Sequence, residues 1–131
     1  MSDDITAQVT KRVDEIRQKY PSVSLDYLLL DGEYGKWGVI LYTDYDFTTR
    51  GLDFIESKES WKRPEAVEQY NGLIGEGYCV VIYAPGEVLD DLIAKLKREG
   101  GRTNIRLASI EEPSRRHCTL KEAMSSVTVY G

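Results

Sequence analysis

The sequence predicts an α/β fold in which helices flank a mixed central β-sheet. Three apolar segments have the helical spacing of buried positions, and they alternate with shorter runs that have the length and apolar character of strands. The predicted order is helix, three strands, helix, strand, helix, strand, or αβββαβαβ. The last strand, helix and strand form a crossover, which favours a parallel pair. These observations place the chain in the α/β class with a mixed sheet.

The first helix is predicted upstream of Pro21, because apolar residues recur there at helical spacing: Ile5, Val9, Val13, Ile16 and Tyr20. Its other face is charged, so one side should pack on a sheet. A strand follows over residues 23–30. It is apolar on both faces toward its end, which predicts a central position in the sheet.

A turn at Asp31 and Gly32 leads to a second strand over 37–42, and a third strand is predicted over 52–58. The three strands should form an antiparallel meander. Pro64 can open the second helix, where a missing backbone donor costs nothing. Its inner stripe is Ala66, Val67, Tyr70, Leu73 and Ile74.

A continuous apolar run over 78–84 predicts a strand covered on both faces. A third helix follows with inward residues Val88, Leu89, Leu92, Ile93 and Leu96, and the last core strand is predicted over 104–110. We predict one α/β domain over 1–112 and a tail over 113–131. In the tail, Thr119 can cap a short helix, and 127–130 is either an edge strand or a partner contact.

Composition limits the function classes. A chain of 131 residues suits one domain with one core. A net charge of -5 argues mildly against nucleic-acid binding, although Arg50, Lys58, Lys62 and Arg63 lie near the candidate site. Two cysteines form no metal or disulfide framework, so we predict reduced thiols and a cytoplasmic protein. No apolar run reaches membrane-span length.

The third strand carries the candidate site. Side chains alternate along a strand, so Leu52, Phe54, Glu56 and Lys58 should share one face, and Asp53, Ile55 and Ser57 the other. If Thr49, Arg50 and Gly51 form a three-residue hairpin loop, Asp46 faces Phe54 and Asp44 faces Glu56. Two opposed carboxylates favour a cation between them. A four-residue loop from Thr48 would instead send Asp44 and Asp46 to the other face.

Asp44, followed on the next strand by Glu56, Ser57 and Lys58, resembles the signature of the PD-(D/E)xK nuclease superfamily. The likeness covers about residues 25–84 and includes the helix bearing Gln69. It departs at Thr43, where the signature has proline, so either Asp44 or Asp46 is the first acid. The resemblance implies a restriction-endonuclease-like core.

The resemblance also implies a metal-dependent nuclease that hydrolyses phosphodiester bonds of DNA or RNA. Asp44, Asp46 and Glu56 would bind Mg²⁺ or Mn²⁺, which would lower the pKa of a bound water. Lys58 would stabilise charge in the transition state, and Gln69 would assist from the helix. Catalysis would thus rest on Asp44, Glu56, Lys58 and Gln69.

The alternative is a non-catalytic binding or scaffold protein on the same fold. There the acids and Lys58 form an ordinary network between strands, and the acidic composition favours this interpretation. Nucleic acid is the partner that the nuclease hypothesis predicts, and no membrane is expected. A core this small leaves recognition to loops or to a second subunit, which would make the protein a homodimer.

Overall fold

The computed structural model of the chain describes residues 5–43, 50–111 and 118–122. These residues form a six-stranded sheet with helices on both faces. The elements are α1 (Ile5–Lys19), β1 (Ser24–Gly32), β2 (Gly35–Thr43), β3 (Arg50–Ile55), α2 (Ala66–Gly75), β4 (Cys79–Ala84), α3 (Leu89–Arg98), β5 (Arg106–Ser109) and β6 (Cys118–Thr119). Two short 3-10 helices, Ser60–Lys62 and Gly86–Val88, precede α2 and α3. The predicted α/β class and the mixed sheet flanked by helices are confirmed, but the order differs by these 3-10 helices and the final short strand.

The strands lie in the sheet in the order of the chain, from β1 at one edge to β6 at the other. The pairs β1–β2 and β2–β3 are antiparallel, as the predicted meander requires. The pairs β3–β4 and β4–β5 are parallel, and β6 is antiparallel to β5. Helices α2 and α3 make the long connections that parallel neighbours need. The predicted parallel pairing of β4 and β5 is therefore confirmed.

Two hydrophobic clusters cover the two faces of the sheet. Helix α1 packs on one face, where its buried residues meet Ile40, Ile55, Val81, Tyr83 and Ala108. Helices α2 and α3 pack on the other face against a cluster that includes Phe54, Val80, Ile82 and Leu107. Consecutive residues of β4 thus enter opposite clusters, which explains its continuous apolar run.

The position of β1 differs from the prediction. The strand was expected in the centre of the sheet, but it lies at the edge of the sheet that the described residues form. Among the described residues, β1 pairs with β2 only. Its apolar residues are largely accessible, and Leu28 is 62% exposed. The prediction was based on the apolar pattern on both faces of the strand, which normally indicates neighbouring strands and covering layers on every side. It was wrong because β1 has this pattern at the edge of the described sheet.

The register of β2 and β3 also differs from the prediction. Thr43 pairs with Arg50, and Tyr42 with Gly51, whereas the predicted loop would place Thr43 opposite Ser57. The prediction was wrong because Gly51 was assigned to the turn, while it lies within β3. A Cβ atom at position 51 would overlap the Tyr42 ring, so the glycine allows a close cross-strand approach. The connection, residues 44–49, lies outside the described residues and includes Asp44 and Asp46.

The tail is described only in part. Thr119 caps a helical turn as predicted: its hydroxyl accepts the Glu122 N–H at 3.2 Å, and Glu122 accepts the Thr119 N–H at 2.9 Å. The predicted segment 127–130 lies outside the described residues. No helix in the described part of the chain is long and apolar enough to cross a membrane.

Candidate functional site

Glu56 lies directly after β3 and is completely buried. Strand β3 ends at Ile55, but the Glu56 N–H still donates to the Tyr83 carbonyl at 2.8 Å. The side chain points to the face on which α2 packs, as the alternation of residues predicted. A carboxylate with no access to solvent must find its partners within the protein.

The Glu56 carboxylate accepts four hydrogen bonds. Oε1 accepts from Ser60 Oγ at 2.6 Å and from Arg63 Nη1 at 2.7 Å. Oε2 accepts from Arg63 Nη2 at 3.1 Å and from the Tyr70 hydroxyl at 2.5 Å. An ionised carboxylate has about four lone-pair positions. Every acceptor position of Glu56 is therefore used by a neighbouring side chain.

The hydrogen-bond donors of Arg63 are also fully used. Its two Nη groups bind the two oxygens of Glu56 in a bidentate pair, and Nη1 also donates to the Ser60 carbonyl at 2.8 Å. Gln69 Oε1 accepts from Nε at 3.1 Å and from Nη2 at 2.9 Å. The guanidinium lies 4.0 Å from the centre of the Trp37 ring. All five N–H donors of Arg63 thus have acceptors inside the fold.

A tight turn holds this pair in place. Ser57 and Ser60 each accept the other's backbone N–H through their hydroxyls, at 3.1 and 2.8 Å. The Lys95 ammonium on α3 donates to the carbonyls of Trp61 and Arg63 at 2.9 and 2.8 Å. Burial lowers the pKa of Lys95. The 3-10 helix is therefore anchored to the sheet on one side and to α3 on the other.

Lys58 does not share the environment of Glu56. It lies in the turn beyond β3, its side chain is 53% exposed, and its ammonium is 3.5 Å from the Glu87 carboxylate. The predicted strand over 52–58 was too long, because the chain turns after Ile55. Gln69, in contrast, lies beside the candidate site as expected. Its contact is with Arg63, so it orients the guanidinium that binds Glu56.

The described residues around Glu56 do not fit Mg²⁺ or Mn²⁺. These cations need free oxygen ligands, and both oxygens of Glu56 already accept two hydrogen bonds each. In the part of the chain that the structure describes, no three His, Cys, Asp or Glu residues are grouped closely enough to hold a metal ion. Asp44 and Asp46, the other predicted ligands, lie outside it. The metal site remains a prediction.

A second buried acid lies on the other face of β3. Asp53 is completely buried, and its carboxylate accepts from Arg12 Nε and from the Tyr42 hydroxyl, both at 3.1 Å. Arg12 comes from α1 and lies 5.0 Å from the centre of the Tyr83 ring. Burial raises the pKa of Asp53, while Arg12 and the Tyr42 hydroxyl act in the opposite direction. Glu15 belongs to this face, since its carboxylate is 3.5 Å from Arg12.

Sequence reasoning missed the residues that complete both sites. Arg63 was predicted only as one of four cations near the candidate site, and Tyr70 only as part of the inner stripe of α2. The available indication was that Arg63 directly precedes the helix-opening Pro64, close to Glu56 in the chain. No local pattern indicates which cation will pair with Asp53, because Arg12 is 41 positions away.

Three tyrosines limit the stability of these sites at alkaline pH: Tyr70 and Tyr83 are buried, and Tyr42 is partly buried. Burial, and then the charge of the neighbouring acid, raises the pKa of Tyr42, Tyr70 and Tyr83 above the ordinary value. The folded state therefore favours the neutral phenols, and their contribution to stability is present below about pH 10 and falls at higher pH.

We expect a spectrophotometric titration to show these three phenols ionising together with the loss of helical circular dichroism. Replacing Tyr70 by Phe should reduce the number of protons released on alkaline unfolding by one, because one phenol fewer can ionise. Reversible ionisation of all three near pH 10 in the folded protein would contradict this arrangement.

Comparison of the chain with protein-family models, curated proteins and solved structures found no significant match. The geometry of the two buried acids is therefore the basis for inferring function.

Proposed function

We propose that this protein is a non-catalytic binding or scaffold protein, in which Glu56 and Asp53 stabilise the fold. The main support for the proposal is that the Glu56 carboxylate already accepts four hydrogen bonds from neighbouring side chains. A metal ligand must present an oxygen to the cation. To do so here, Glu56 would have to release Arg63, which is 2% exposed and would be left as a buried charge.

The cations that were expected to attract nucleic acid support the same proposal. Arg63 binds Glu56, Lys58 contacts Glu87, and Lys62 lies 2.8 Å from Glu59. The Arg50 guanidinium donates to the Glu76 carbonyl at 2.6 Å and stacks on Tyr78. Phosphate binding requires cations that can replace counterions around the nucleic acid. These cations already have acidic or backbone partners, and the chain has a net charge of -5.

The experiment that tests the proposal is incubation of the purified protein with mixed DNA and RNA in the presence of Mg²⁺ or Mn²⁺. We expect no cleavage and no change in melting temperature with millimolar Mn²⁺, because a cation that does not bind the folded state cannot stabilise it. The matched variant is Glu56→Gln. Cleavage that depends on the cation and is lost in this variant would overturn the proposal in favour of the nuclease.

A further inference from the structure

In the part of the chain that the structure describes, exposed apolar surface is concentrated on β1. Among the described residues, four large hydrophobic side chains are exposed, and three of them belong to this strand: Tyr27 at 45%, Leu28 at 62% and Leu29 at 44%. Leu25 and Leu30 of the same strand are only partly buried. Single exposed apolar residues are normal, but a contiguous group usually marks an interaction surface.

Apart from two acids, the strand lacks the features that commonly prevent pairing at an edge. Edge strands are commonly protected by short length, by lysine or by proline. β1 has nine residues and contains no Lys, Arg or Pro, and its only charged residues are Asp26 and Asp31. Its apolar pattern on both faces is typical of a strand within a sheet. Its sequence thus fits an interior position, whereas its place in the described fold is at an edge.

We propose that β1 pairs antiparallel with β1 of a second copy of this chain, which would join the two sheets into one. Pairing between copies resolves the conflict, because β1 would then lie in the centre of the joined sheet. The proposal concerns assembly and does not depend on the absence of catalysis proposed above.

The sequence of β1 selects a register for this pairing. A twofold axis perpendicular to the sheet preserves its faces, so each residue must pair with a residue of the same face. With the axis at Leu28, the middle residue of β1, the whole strand overlaps with its copy. Tyr27 then faces Leu29, and Leu28 faces its own copy. The acids face apolar residues, since Asp26 lies opposite Leu30 and Asp31 opposite Leu25, so no like charges are opposed.

The backbone geometry of β1 indicates which of its N–H and C=O groups point away from β2 and could pair with another strand. In an antiparallel ladder, successive residues direct their N–H and C=O groups to alternate sides of the strand. The Tyr27 N–H donates to the carboxylate of Asp26 on the same strand at 3.1 Å, as expected for a group on the side away from β2. In the proposed dimer, Tyr27 and Leu29 would exchange backbone hydrogen bonds across the axis, and the Asp26 carboxylate would return to solvent.

The test is the mass of the full chain in solution, measured by sedimentation over a range of concentrations up to about 1 mM. We expect a dimer of the 14.9 kDa chain. Leu28→Lys should weaken the dimer at least about tenfold, because two like charges would face each other at the axis. Tyr20→Lys is the matched control, since Tyr20 is 53% exposed but lies outside β1, and it should leave the dimer unchanged.

Hydrogen exchange supplies a second readout that does not depend on the variants. Exchange of the Tyr27 and Leu29 amides should slow as the protein concentration rises, because dimer formation would place both in the new ladder. A wild-type chain that stays monomeric throughout would overturn the proposal, and it would indicate that another part of the chain or another partner covers β1. A dimer that Leu28→Lys and Tyr20→Lys leave equally stable would overturn it as well.

Discussion

Replacing Glu56 by Ala is expected to lower the free energy of unfolding by about 3–5 kcal/mol, the usual effect of removing one partner of a buried ion pair. The cost arises because Arg63 would remain buried without a countercharge, and because Ser60 and Tyr70 would each lose an acceptor. Urea denaturation followed by circular dichroism measures the change.

Lys58→Ala is the matched control, because it removes the other charged residue of the Glu56-Ser57-Lys58 segment. Lys58 is half exposed and contacts an exposed acid, so its removal should cost no more than about 1 kcal/mol. The expectation fails if the two variants are equally stable. A gain in stability from Glu56→Ala would instead indicate repulsion between acids that had been arranged to hold a metal.

Replacing Asp53 by Ala is expected to lower the free energy of unfolding by about 3 kcal/mol, the lower end of the range for a broken buried pair. Asp53 is completely buried, but the Arg12 side chain is 22% exposed and can recover some hydration. The Tyr42 hydroxyl would also lose its acceptor. The effect should therefore be large but smaller than that of Glu56→Ala.

Glu15→Ala provides the matched control for Asp53, because Glu15 contacts the same arginine through a side chain that is 40% exposed. Its loss should cost no more than about 1 kcal/mol. If Glu15→Ala and Asp53→Ala have equal effects in denaturation experiments, the buried pair is not a main source of stability on this face.

Much of the fold could be predicted because side-chain alternation is a strict geometric rule. Leu52 and Phe54 enter one cluster and Ile55 the other, as the sequence indicated. The predictions that failed concern sequence features that are compatible with two structures. A glycine can lie in a turn or can allow a close approach within a strand, and Gly51 allows the close approach to Tyr42. Apolar residues on both faces were expected in a central strand, but those of β1 lie at an edge of the described sheet.

The candidate site was harder to predict because a short sequence motif shows where an acid lies but not which positive group binds it. Glu56, predicted as a catalytic residue and metal ligand, is completely buried, and Gln69 contacts its partner Arg63. The expected partner was a cation held with Asp44, whereas the described partner is the guanidinium of Arg63. A carboxylate at the end of an apolar strand face needs a positive partner in either case, so the sequence alone does not distinguish arginine from metal.

The most direct test of the structural role of Glu56 is a double-mutant cycle with Arg63. Unfolding free energies would be measured for wild type, Glu56→Ala, Arg63→Ala and the double variant. We expect a coupling of about 2–3 kcal/mol, with the double variant much more stable than the sum of the single losses implies, because neither charge is then left alone. Additive effects, agreeing within about 0.5 kcal/mol, would contradict the ion pair as the function of Glu56.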